Sequence, residues 1–416
     1  MRPVPRGAWT GLVLLLLVLC LLGADVAGAQ RGGAPRVSAP AAILVEPATG
    51  DVVFARRGDS RRPIASTTKL MTALLALERL SLDDVLVQVP YQAAPAESVA
   101  GFQAGERVTV RDELRALLLA SANDAAATLA VRISGTRARF VRDMNSRARQ
   151  LGLLDTSYAN PVGLDDPDNF SSAADLVKLA LVLRTKPFFR ETVNRPRVTI
   201  RSGAYPRTFA NRNALVRTTP SVNGVKTGRT SAAGYVLVGS ASRDGVTVLS
   251  AVLGNQSESA RNTDTLALLR HGLRRYSRKV AVREGRRFAG AKLRYRDESV
   301  ALVAGSAVVR TARRGERLDV RVAGAPTELD GPLPQGTRVG TILVRQRGEL
   351  VARVPLSTAR AVTEAGAADR LKDFASRTRT LLLLAVFLLG SLLLVVLRRR
   401  IIRRSRGTRV RETEVA

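Results

Sequence analysis

Apolar side chains recur at helical spacing in several stretches of the chain. Between Pro63 and Glu78 they stand one to four positions apart, at Leu70, Leu74, Leu75 and Leu77. This spacing predicts a helix buried along one face, with Ser66 at or near its start. Similar patterns predict helices over residues 137–151, 172–184 and 258–276, and a mostly helical stretch over 111–131 that is interrupted at residues 121–124.

Continuous apolar runs predict strands before and after these helices. Residues 41–46 and 52–56 form one predicted hairpin, and residues 234–240 and 246–254 form another around a turn at residues 243–245. We therefore predict an α/β (α+β) domain over residues 41–277, with an antiparallel sheet flanked by helices. From residue 280 to 358, short strands separated by Gly and Pro predict a small, separate all-β domain.

The two ends of the chain carry targeting patterns. Residues 1–29 place two arginines before an apolar run and end in Ala27-Gly28-Ala29, which is typical of a cleaved secretory signal peptide. Residues 380–397 carry no charge and precede the arginine-rich residues 398–416, so they predict one membrane-spanning helix with a basic cytoplasmic tail. Residues 30–40 and 359–379 are predicted to be a linker and a stalk.

The formal charge of +31 is extreme for a chain of this length. Nucleic acid is not the expected partner, because the topology puts both predicted domains outside the cytoplasmic membrane. The excess arginine is expected to face anionic lipid or wall polymer instead. The one cysteine, Cys20, lies inside the predicted signal peptide, so the mature chain is expected to have no disulfide and no cysteine-ligated metal. The sequence does not indicate an oligomeric state.

Candidate chemistry lies at the start of the Ser66 helix. Residues three apart share a helix face, so Lys69 can reach the Ser66 hydroxyl. A lysine acts as a base only when burial or nearby charge lowers its pKa from about 10.4. The chain has seven lysines among its 66 basic residues, which makes a lysine here less incidental. Taken alone, the pair is still better explained by Ser66 as an N-cap and Lys69 as a solvated side chain.

The single histidine, His271, lies in an arginine-rich predicted helix. A Ser-His-Asp triad needs a histidine oriented beside the nucleophile, and nothing around His271 indicates such a site. We interpret His271 as a surface or core residue. One histidine also excludes a histidine-based metal site, and no cofactor or metal is expected. If the chain is a serine hydrolase, lysine is the remaining candidate for its base.

Two further clusters strengthen the interpretation of Ser66 and Lys69 as a catalytic pair. Ser121-x-Asn123 lies between helical segments, and Lys226-Thr227-Gly228 lies at the edge of a predicted strand, where the glycine permits close backbone approach. Each cluster alone is a common turn or strand edge. The order Ser-x-x-Lys, Ser-x-Asn, Lys-Thr-Gly, at domain-scale spacing, is the motif set of β-lactamases and penicillin-binding proteins.

Residues 38–277 resemble the D-alanyl-D-alanine carboxypeptidase family, the low-molecular-mass penicillin-binding peptidases. The resemblance extends beyond the trio to residues 140–156, to Asn160-Pro161-x-Gly163-Leu164 and to residues 226–235. It implies a β-lactamase/transpeptidase-like fold, and residues 280–358 resemble the C-terminal β domain of the family more loosely. Two positions where the family often has histidine are Val162 and Asn169 here, and we expect these to affect loop structure rather than chemistry.

The resemblance implies roles position by position. Ser66 is implied as the acylated nucleophile, Lys69 as its base, and Ser121 as the group that passes the proton to the leaving amine. Asn123 is implied to bind the substrate backbone, and Lys226, Thr227 and Arg261 are implied to bind its terminal carboxylate. The backbone N–H groups of Ser66 and Arg229 are implied to bind the oxyanion. Gly228, between Thr227 and Arg229, belongs to the same implied substrate-binding segment. The implied partners are a peptidoglycan stem peptide ending in D-Ala-D-Ala and β-lactam inhibitors.

Three alternatives stay open at this point. A β-lactamase shares the trio, but the Glu-x-x-Leu-Asn pattern of a deacylating glutamate does not occur in the sequence. A D,D-endopeptidase, which cuts crosslinks instead of trimming stems, uses the same residues. A catalytically idle wall-binding protein has no need of intact motif residues, and labelling by penicillin distinguishes it from the enzymes.

Overall fold

A computed structural model describes residues 33–376 and 378–409, and the chain divides into two compact units after Ser277. The predicted signal peptide, residues 1–29, lies outside the described residues. The strands of the first unit are β1 (Ala41–Glu46), β2 (Asp51–Arg56), β3 (Arg62–Pro63), β4 (Val85–Val87), β5 (Arg107–Thr109), β6 (Phe170–Ser171), β7 (Arg197–Ile200), β8 (Arg207–Ala210), β9 (Val222–Thr230), β10 (Gly234–Arg243) and β11 (Val246–Asn255).

The helices of this unit follow the predicted pattern with additions. They are α1 (Lys69–Arg79), preceded by a 3₁₀ turn at Ala65–Thr68, α2 (Val110–Arg115), continued by a π-helical turn at Ala116–Ala120, α3 (Asn123–Ser134), α4 (Arg137–Gln150), α5 (Ala173–Arg184), α6 (Pro187–Asn194), α7 (Ala214–Thr218) and α8 (Glu258–Arg275). The interruption predicted at residues 121–124 is confirmed but shorter, because Asn123 already belongs to α3. Helices α6 and α7 and the β4–β5 and β7–β8 pairs were not predicted, since each is short.

A five-stranded antiparallel sheet, in the order β2-β1-β11-β10-β9, forms the centre of the first unit. The two predicted hairpins are confirmed. Asp244 and Gly245 join β10 to β11 with φ values of 52° and 76°, the positive values that a tight two-residue hairpin turn requires. The first strand of the unit pairs with its last, with Ala41 opposite Leu253.

Both faces of the three central strands, β1, β10 and β11, are buried, which explains why these strands are mostly apolar. Ile43 and Leu249 pack in a core with α1 and α3, while the neighbouring residues Leu44 and Val248 pack on the opposite face against α8. Alternate residues of one strand therefore serve different cores. Strand β9 forms one edge of the sheet and packs beside the turn that carries Ser66.

The second unit is all-β up to its C-terminal helices. Its strands are β12 (Tyr276–Val282), which begins with the last two residues of the first unit, β13 (Arg287–Leu293), β14 (Ser299–Ala304), β15 (Val308–Arg313), β16 (Asp319–Ala323), β17 (Glu328–Leu329), β18 (Arg338–Gln346) and β19 (Glu349–Thr358). Six of them form a sheet in the order β16-β18-β19-β14-β13-β17, around a core that includes Leu302, Ile342 and Val354. The all-β character predicted for this region is confirmed.

Two helices follow the β strands. Helix α9 (Ala367–Ser376) lies in the segment predicted as a stalk, and α10 (Thr378–Arg409) contains the predicted membrane segment. Residues 379–403 of α10 are long and apolar enough to cross a membrane, and apolar side chains such as Leu382, Phe387 and Leu394 are largely exposed. The structure therefore contains one apolar helix at the position where the sequence predicts a membrane anchor.

Candidate active site

The structure places Ser66 in the 3₁₀ turn that leads into α1. Thr67 closes this turn, because its backbone N–H and its hydroxyl both donate to the carbonyl of Ile64, at 3.2 and 2.7 Å. Ala65, just before the serine, has a φ of 48°, which non-glycine residues rarely adopt. No side-chain hydrogen bond caps either helix start here, so the interpretation of Ser66 as an N-cap is wrong.

Lys69 is a buried base candidate beside Ser66. Its Nζ lies 3.1 Å from Ser66 Oγ and also donates a hydrogen bond to the backbone carbonyl of Val162. Burial lowers the pKa of Lys69 to about 7, although the carboxylates of Glu97 and Asp124 oppose this shift. The interpretation of Lys69 as a solvated side chain is therefore wrong, and a large fraction of its amine is neutral near neutral pH.

Ser121 and Lys226 form a second hydroxyl–amine pair. Ser121 ends the π-helical turn with a φ of 65°, and Lys226 Nζ donates to its Oγ at 3.0 Å and to the carbonyl of Thr227 at 2.9 Å. Burial holds the pKa of Lys226 well below its usual value, and the positive charges of Lys69, Arg212 and Arg261 act in the same direction. The two lysines are thus close enough to repel each other, which favours a neutral amine at one of them.

Asn123 starts α3 with both ends of its amide buried. Its backbone N–H donates to the carbonyl of Ser98 at 2.7 Å, and its Nδ2 donates to a carboxylate oxygen of Glu97 at 2.6 Å. Its Oδ1 is buried and has no hydrogen-bond partner among the described residues. That oxygen therefore keeps an unused capacity to accept a hydrogen bond.

Strand β9 brings residues 226–229 against the nucleophile turn. A Cβ atom at Gly228 would lie 3.1 Å from the backbone nitrogen of Ser66 and 2.9 Å from the carbonyl of Ile64. Glycine is therefore required for this close approach. The guanidinium of Arg229 lies 5.5 Å from the ring centre of Tyr235, which stands opposite on β10.

One cavity of about 330 Å³ joins these groups. It is lined by Ser66, Ala96, Ser98, Ser121, Arg212, Arg217, Thr227, Gly228, Arg229, Tyr235, Glu258 and Arg261. Six of the nine residues predicted from the sequence line it directly. Lys69 and Lys226 are buried behind it and are bonded to Ser66 and Ser121, and Asn123 is bonded to Ser98. His271 does not line this cavity.

Arg261 reaches the cavity from the first turns of α8. It is 3% exposed, and its Nη2 donates to Glu258 Oε1 at 2.7 Å. Sequence reasoning missed this glutamate, and it also missed Arg212 and Arg217 because isolated arginines in an arginine-rich chain carry no signal. Arg212 is fixed by a hydrogen bond from its Nε to the carbonyl of Ala120 at 2.9 Å. Cations therefore outnumber carboxylates around the cavity, which favours an anionic ligand.

Gly163 is a position where a single methyl group is expected to disturb the nucleophile. Its φ is +88°, and a Cβ atom there would lie 2.1 Å from the carbonyl oxygen of Ala65. Gly163→Ala is therefore expected to lower the free energy of unfolding by about 2 kcal/mol or more and to slow acylation at Ser66. Thermal melts and the rate of labelling by fluorescent penicillin measure both effects.

Gly152→Ala is the matched control for Gly163→Ala. Gly152 has a φ of +65° but no atom within 4 Å of an added Cβ. It therefore carries the backbone strain without the clash, and its labelling rate is expected to stay at the parent value. Equal labelling rates for Gly163→Ala and Gly152→Ala would show that the clash with the nucleophile turn does not slow acylation.

Among residues 33–376 and 378–409, no cluster of three or more His, Cys, Asp or Glu side chains could hold a metal ion. A larger cavity of about 820 Å³ lies in the second unit. It is lined by ion pairs such as Arg296–Asp369, and the hydroxyl of Ser376 in its lining donates to the carbonyl of Asp373. A serine beside a buried lysine, at the edge of an antiparallel sheet covered by helices, defines the class of serine peptidases that use lysine instead of histidine.

Comparisons with known proteins give the family within this class. The sequence model of the D-alanyl-D-alanine carboxypeptidase family, peptidase family S11, matches residues 28–257. The carboxypeptidase DacF of Bacillus subtilis is 28% identical over 343 residues, with 80% of this chain and 88% of that protein covered. DacC of Escherichia coli is 31% identical over 362 residues, with 81% and 87% covered.

The fold agrees with this assignment. The crystal structure of penicillin binding protein 5 from Haemophilus influenzae superposes with a TM-score of 0.58 at 28% identity, with 80% of this chain and 99% of that chain covered. The chain belongs to the D-alanyl-D-alanine carboxypeptidase family, and it is a serine hydrolase by fold and family.

Proposed function

We propose that this protein is a serine-type D-Ala-D-Ala carboxypeptidase, which removes the terminal D-alanine from peptidoglycan stem pentapeptides. The observation that carries the proposal is the Ser66–Lys69 pair. Its atoms are 3.1 Å apart, the lysine is buried with a pKa of about 7, and the pair opens on a cation-lined cavity. A peptide that ends in a carboxylate is the kind of ligand that such a cavity attracts.

Acylation begins when neutral Lys69 takes the proton of Ser66. Ser66 Oγ attacks the carbonyl carbon of the last peptide bond, and the negative oxygen that forms accepts hydrogen bonds from the backbone N–H groups of Ser66 and Arg229. Each such donor typically contributes about 2.7–4 kcal/mol to the stability of the transition state. The proton that Lys69 took then passes through the hydroxyl of Ser121, which is bonded to Lys226, to the nitrogen of D-alanine. The bond to D-alanine breaks, and Lys69 is neutral again.

Deacylation returns the enzyme to its starting state. A water molecule gives a proton to Lys69 and attacks the ester carbonyl, and the proton then passes to Ser66 Oγ as the ester bond breaks. Asn123 holds the backbone of the peptide through its unpaired Oδ1, and Lys226, Thr227 and Arg261 receive the terminal carboxylate. Arg261 pairs with Glu258 through its Nη2, and a guanidinium has five N–H donors, so it can bind the terminal carboxylate as well.

β-Lactams are proposed inhibitors of the same site. Opening of the strained ring by Ser66 forms an acyl-enzyme without a leaving group that departs, so water has less room to reach the ester. Fluorescent penicillin is therefore expected to label the protein stably. A catalytically idle wall-binding protein would show no label.

The experiment that tests the proposal is D-alanine release from a diacyl-Lys-D-Ala-D-Ala peptide by the full chain in detergent. Release that depends on Ser66 supports the carboxypeptidase. A D,D-endopeptidase is the second candidate, and incubation with crosslinked muropeptide dimers distinguishes it. Labelling by penicillin with cleavage of dimers but no D-alanine release would overturn the proposal in favour of the endopeptidase.

We further propose the arrangement of the chain at the membrane. Residues 1–29 are a cleaved signal peptide, residues 41–277 and 280–358 are extracytoplasmic domains, and residues 380–397 span the membrane. The arginine-rich residues 398–416 then lie in the cytoplasm.

Protease protection tests this topology. In intact spheroplasts, added protease is expected to remove the folded domains and to leave an epitope fused after Ala416 untouched. A chain truncated after Ser376 is expected to be released into the medium. Retention of the truncated chain at the membrane would contradict an anchor formed by α10 alone.

A further inference from the structure

Glu97 lies beside the proposed site but belongs to none of the motifs that predict it. Two groups donate hydrogen bonds to its Oε2: the hydroxyl of Tyr91, and Nδ2 of Asn123 at 2.6 Å. Its Oε1 accepts the backbone N–H of Ala94 at 3.2 Å. Both carboxylate oxygens are therefore engaged by groups of fixed position.

The segment that carries Glu97 is held rigidly against α3. The backbone N–H groups of Ala100, Gly101 and Phe102 all donate to the carboxylate of Asp124, at 2.9–3.1 Å. The carbonyl of Ser98 accepts the backbone N–H of Asn123 at 2.7 Å. These contacts, all within five residues after Glu97, hold the end of the segment next to Glu97 against the start of α3.

The contact with Glu97 decides which way the Asn123 amide points. An ionised carboxylate accepts hydrogen bonds and donates none, so only the Nδ2 end of the amide can bind it. Burial raises the pKa of Glu97, but the hydrogen bonds from Tyr91 and Asn123 outweigh burial and hold the pKa below its usual value. Glu97 is therefore ionised at neutral pH, and Asn123 Oδ1 is left as the buried acceptor without a partner among the described residues.

Resting on the proposed function, we propose that Glu97 is a positioning residue of the active site. It orients the Asn123 amide so that its oxygen accepts a hydrogen bond from a backbone N–H of the peptide or β-lactam, and it supplies a negative charge near the Ser66–Lys69 pair. Without Glu97 the amide is free to turn and to present its NH₂ group, which repels an N–H donor.

The charge of Glu97 also acts on Lys69. Burial lowers the pKa of Lys69, Glu97 is the strongest of the charges that raise it, Asp124 raises it as well, and Arg212 lowers it. Lys226 is the other ionisable group close by, and its own pKa is lowered by burial and by Lys69. Removing the charge of Glu97 leaves burial less opposed, so the pKa of Lys69 falls and its neutral form persists to lower pH.

The test compares Glu97→Gln with Glu97→Asp in the full chain, with the rate of penicillin acylation measured from pH 5 to 9. In Glu97→Gln the acid limb of the profile is expected to move to lower pH by about half a unit to one unit. The penicillin concentration at half-maximal rate is expected to rise about tenfold, because the Asn123 amide is no longer oriented. Glu97→Asp keeps the negative charge, but its shorter side chain no longer reaches the Asn123 amide. Its acid limb is therefore expected to stay in place, while the penicillin concentration at half-maximal rate rises.

Two controls separate positioning from loss of structure. Tyr91→Phe removes one hydrogen bond to Glu97 and keeps the charge, so its acid limb is expected to coincide with that of the parent. Glu78→Gln removes a carboxylate of a surface ion pair with Arg147, outside the cavity, and is expected to change neither quantity. A purely structural role of Glu97 lowers the rate equally at all pH values in both Glu97 variants.

The outcomes are distinguishable. No labelling of the parent at any pH overturns the proposed function and this inference with it. Labelling of the parent, with the same acid limb and the same half-maximal concentration in Glu97→Gln, overturns the inference alone. If Glu97→Gln melts below the assay temperature, an unchanged half-maximal concentration in Glu97→Asp overturns the orienting role by itself.

Discussion

Replacing Ser66 by alanine is expected to abolish covalent labelling by penicillin and to lower the rate of D-alanine release by at least about 10³-fold. The hydroxyl oxygen of Ser66 forms the acyl bond. Among the described residues, Lys69 bonds to no other hydroxyl, since its remaining hydrogen bond goes to the carbonyl of Val162. Oxyanion donors and substrate contacts stay in place, so the residual rate reports binding and polarisation alone. Gel fluorescence after incubation with labelled penicillin and a coupled D-alanine assay measure the two losses.

Ser98→Ala is the matched control for Ser66→Ala. Ser98 lines the same cavity, and its backbone carbonyl, which a side-chain substitution keeps, is the partner of Asn123. Its labelling is expected to equal that of the parent. Persistent labelling of Ser66→Ala would move the nucleophile to another residue, and Ser121 would be the first to examine.

Replacing Lys69 by arginine is expected to cost about as much activity as removing the nucleophile. The parent needs the neutral amine, so its acylation rate is expected to rise with pH through about 7, the pKa that burial gives Lys69, and to level off above it. A guanidinium does not lose its proton at any pH in this range, so Lys69→Arg keeps the positive charge but has no base. We expect a rate at least about 10³-fold lower, with no rise near pH 7.

Lys178→Arg is the matched control for this substitution. Lys178 lies on α5, is half exposed, and pairs with Asp175 at 3.1 Å. Its replacement is expected to leave the pH profile of acylation unchanged. A Lys69→Arg variant that still showed the rise near pH 7 would assign the base to another group.

The sequence predicted the site where short-range pattern and residue type were enough. Ser66 and Lys69 are three residues apart, so their spacing predicted that the two side chains can meet. The Gly228 region was predicted as a strand edge, where glycine permits close approach. The resemblance to the family then predicted that the three motifs meet at one site. Ser66, Ser121 and Thr227, one from each motif, line the same cavity. The roles of these residues stay predictions until the variants are measured.

The rest of the site depends on contacts that spacing does not encode. Glu97 reaches Asn123 across 26 positions of chain, and Arg212 reaches the carbonyl of Ala120 across 92. Neither lies in a periodic segment. Ser121 has a left-handed backbone that was not foreseen, because residues other than glycine adopt it only where surrounding packing enforces it. The depressed pKa of Lys69 likewise depends on burial by residues far away in sequence.

The pairing of β1 with β11, the first and last strands of the unit, affects how the domain folds. Ala41 meets Leu253 only after almost the whole unit has been synthesised. The entropy of closing so long a loop is lost before the strand contacts compensate for it, so the sheet is slow to form. If the chain crosses the membrane unfolded, as the proposed signal peptide implies, its central sheet cannot be completed before β11 has crossed.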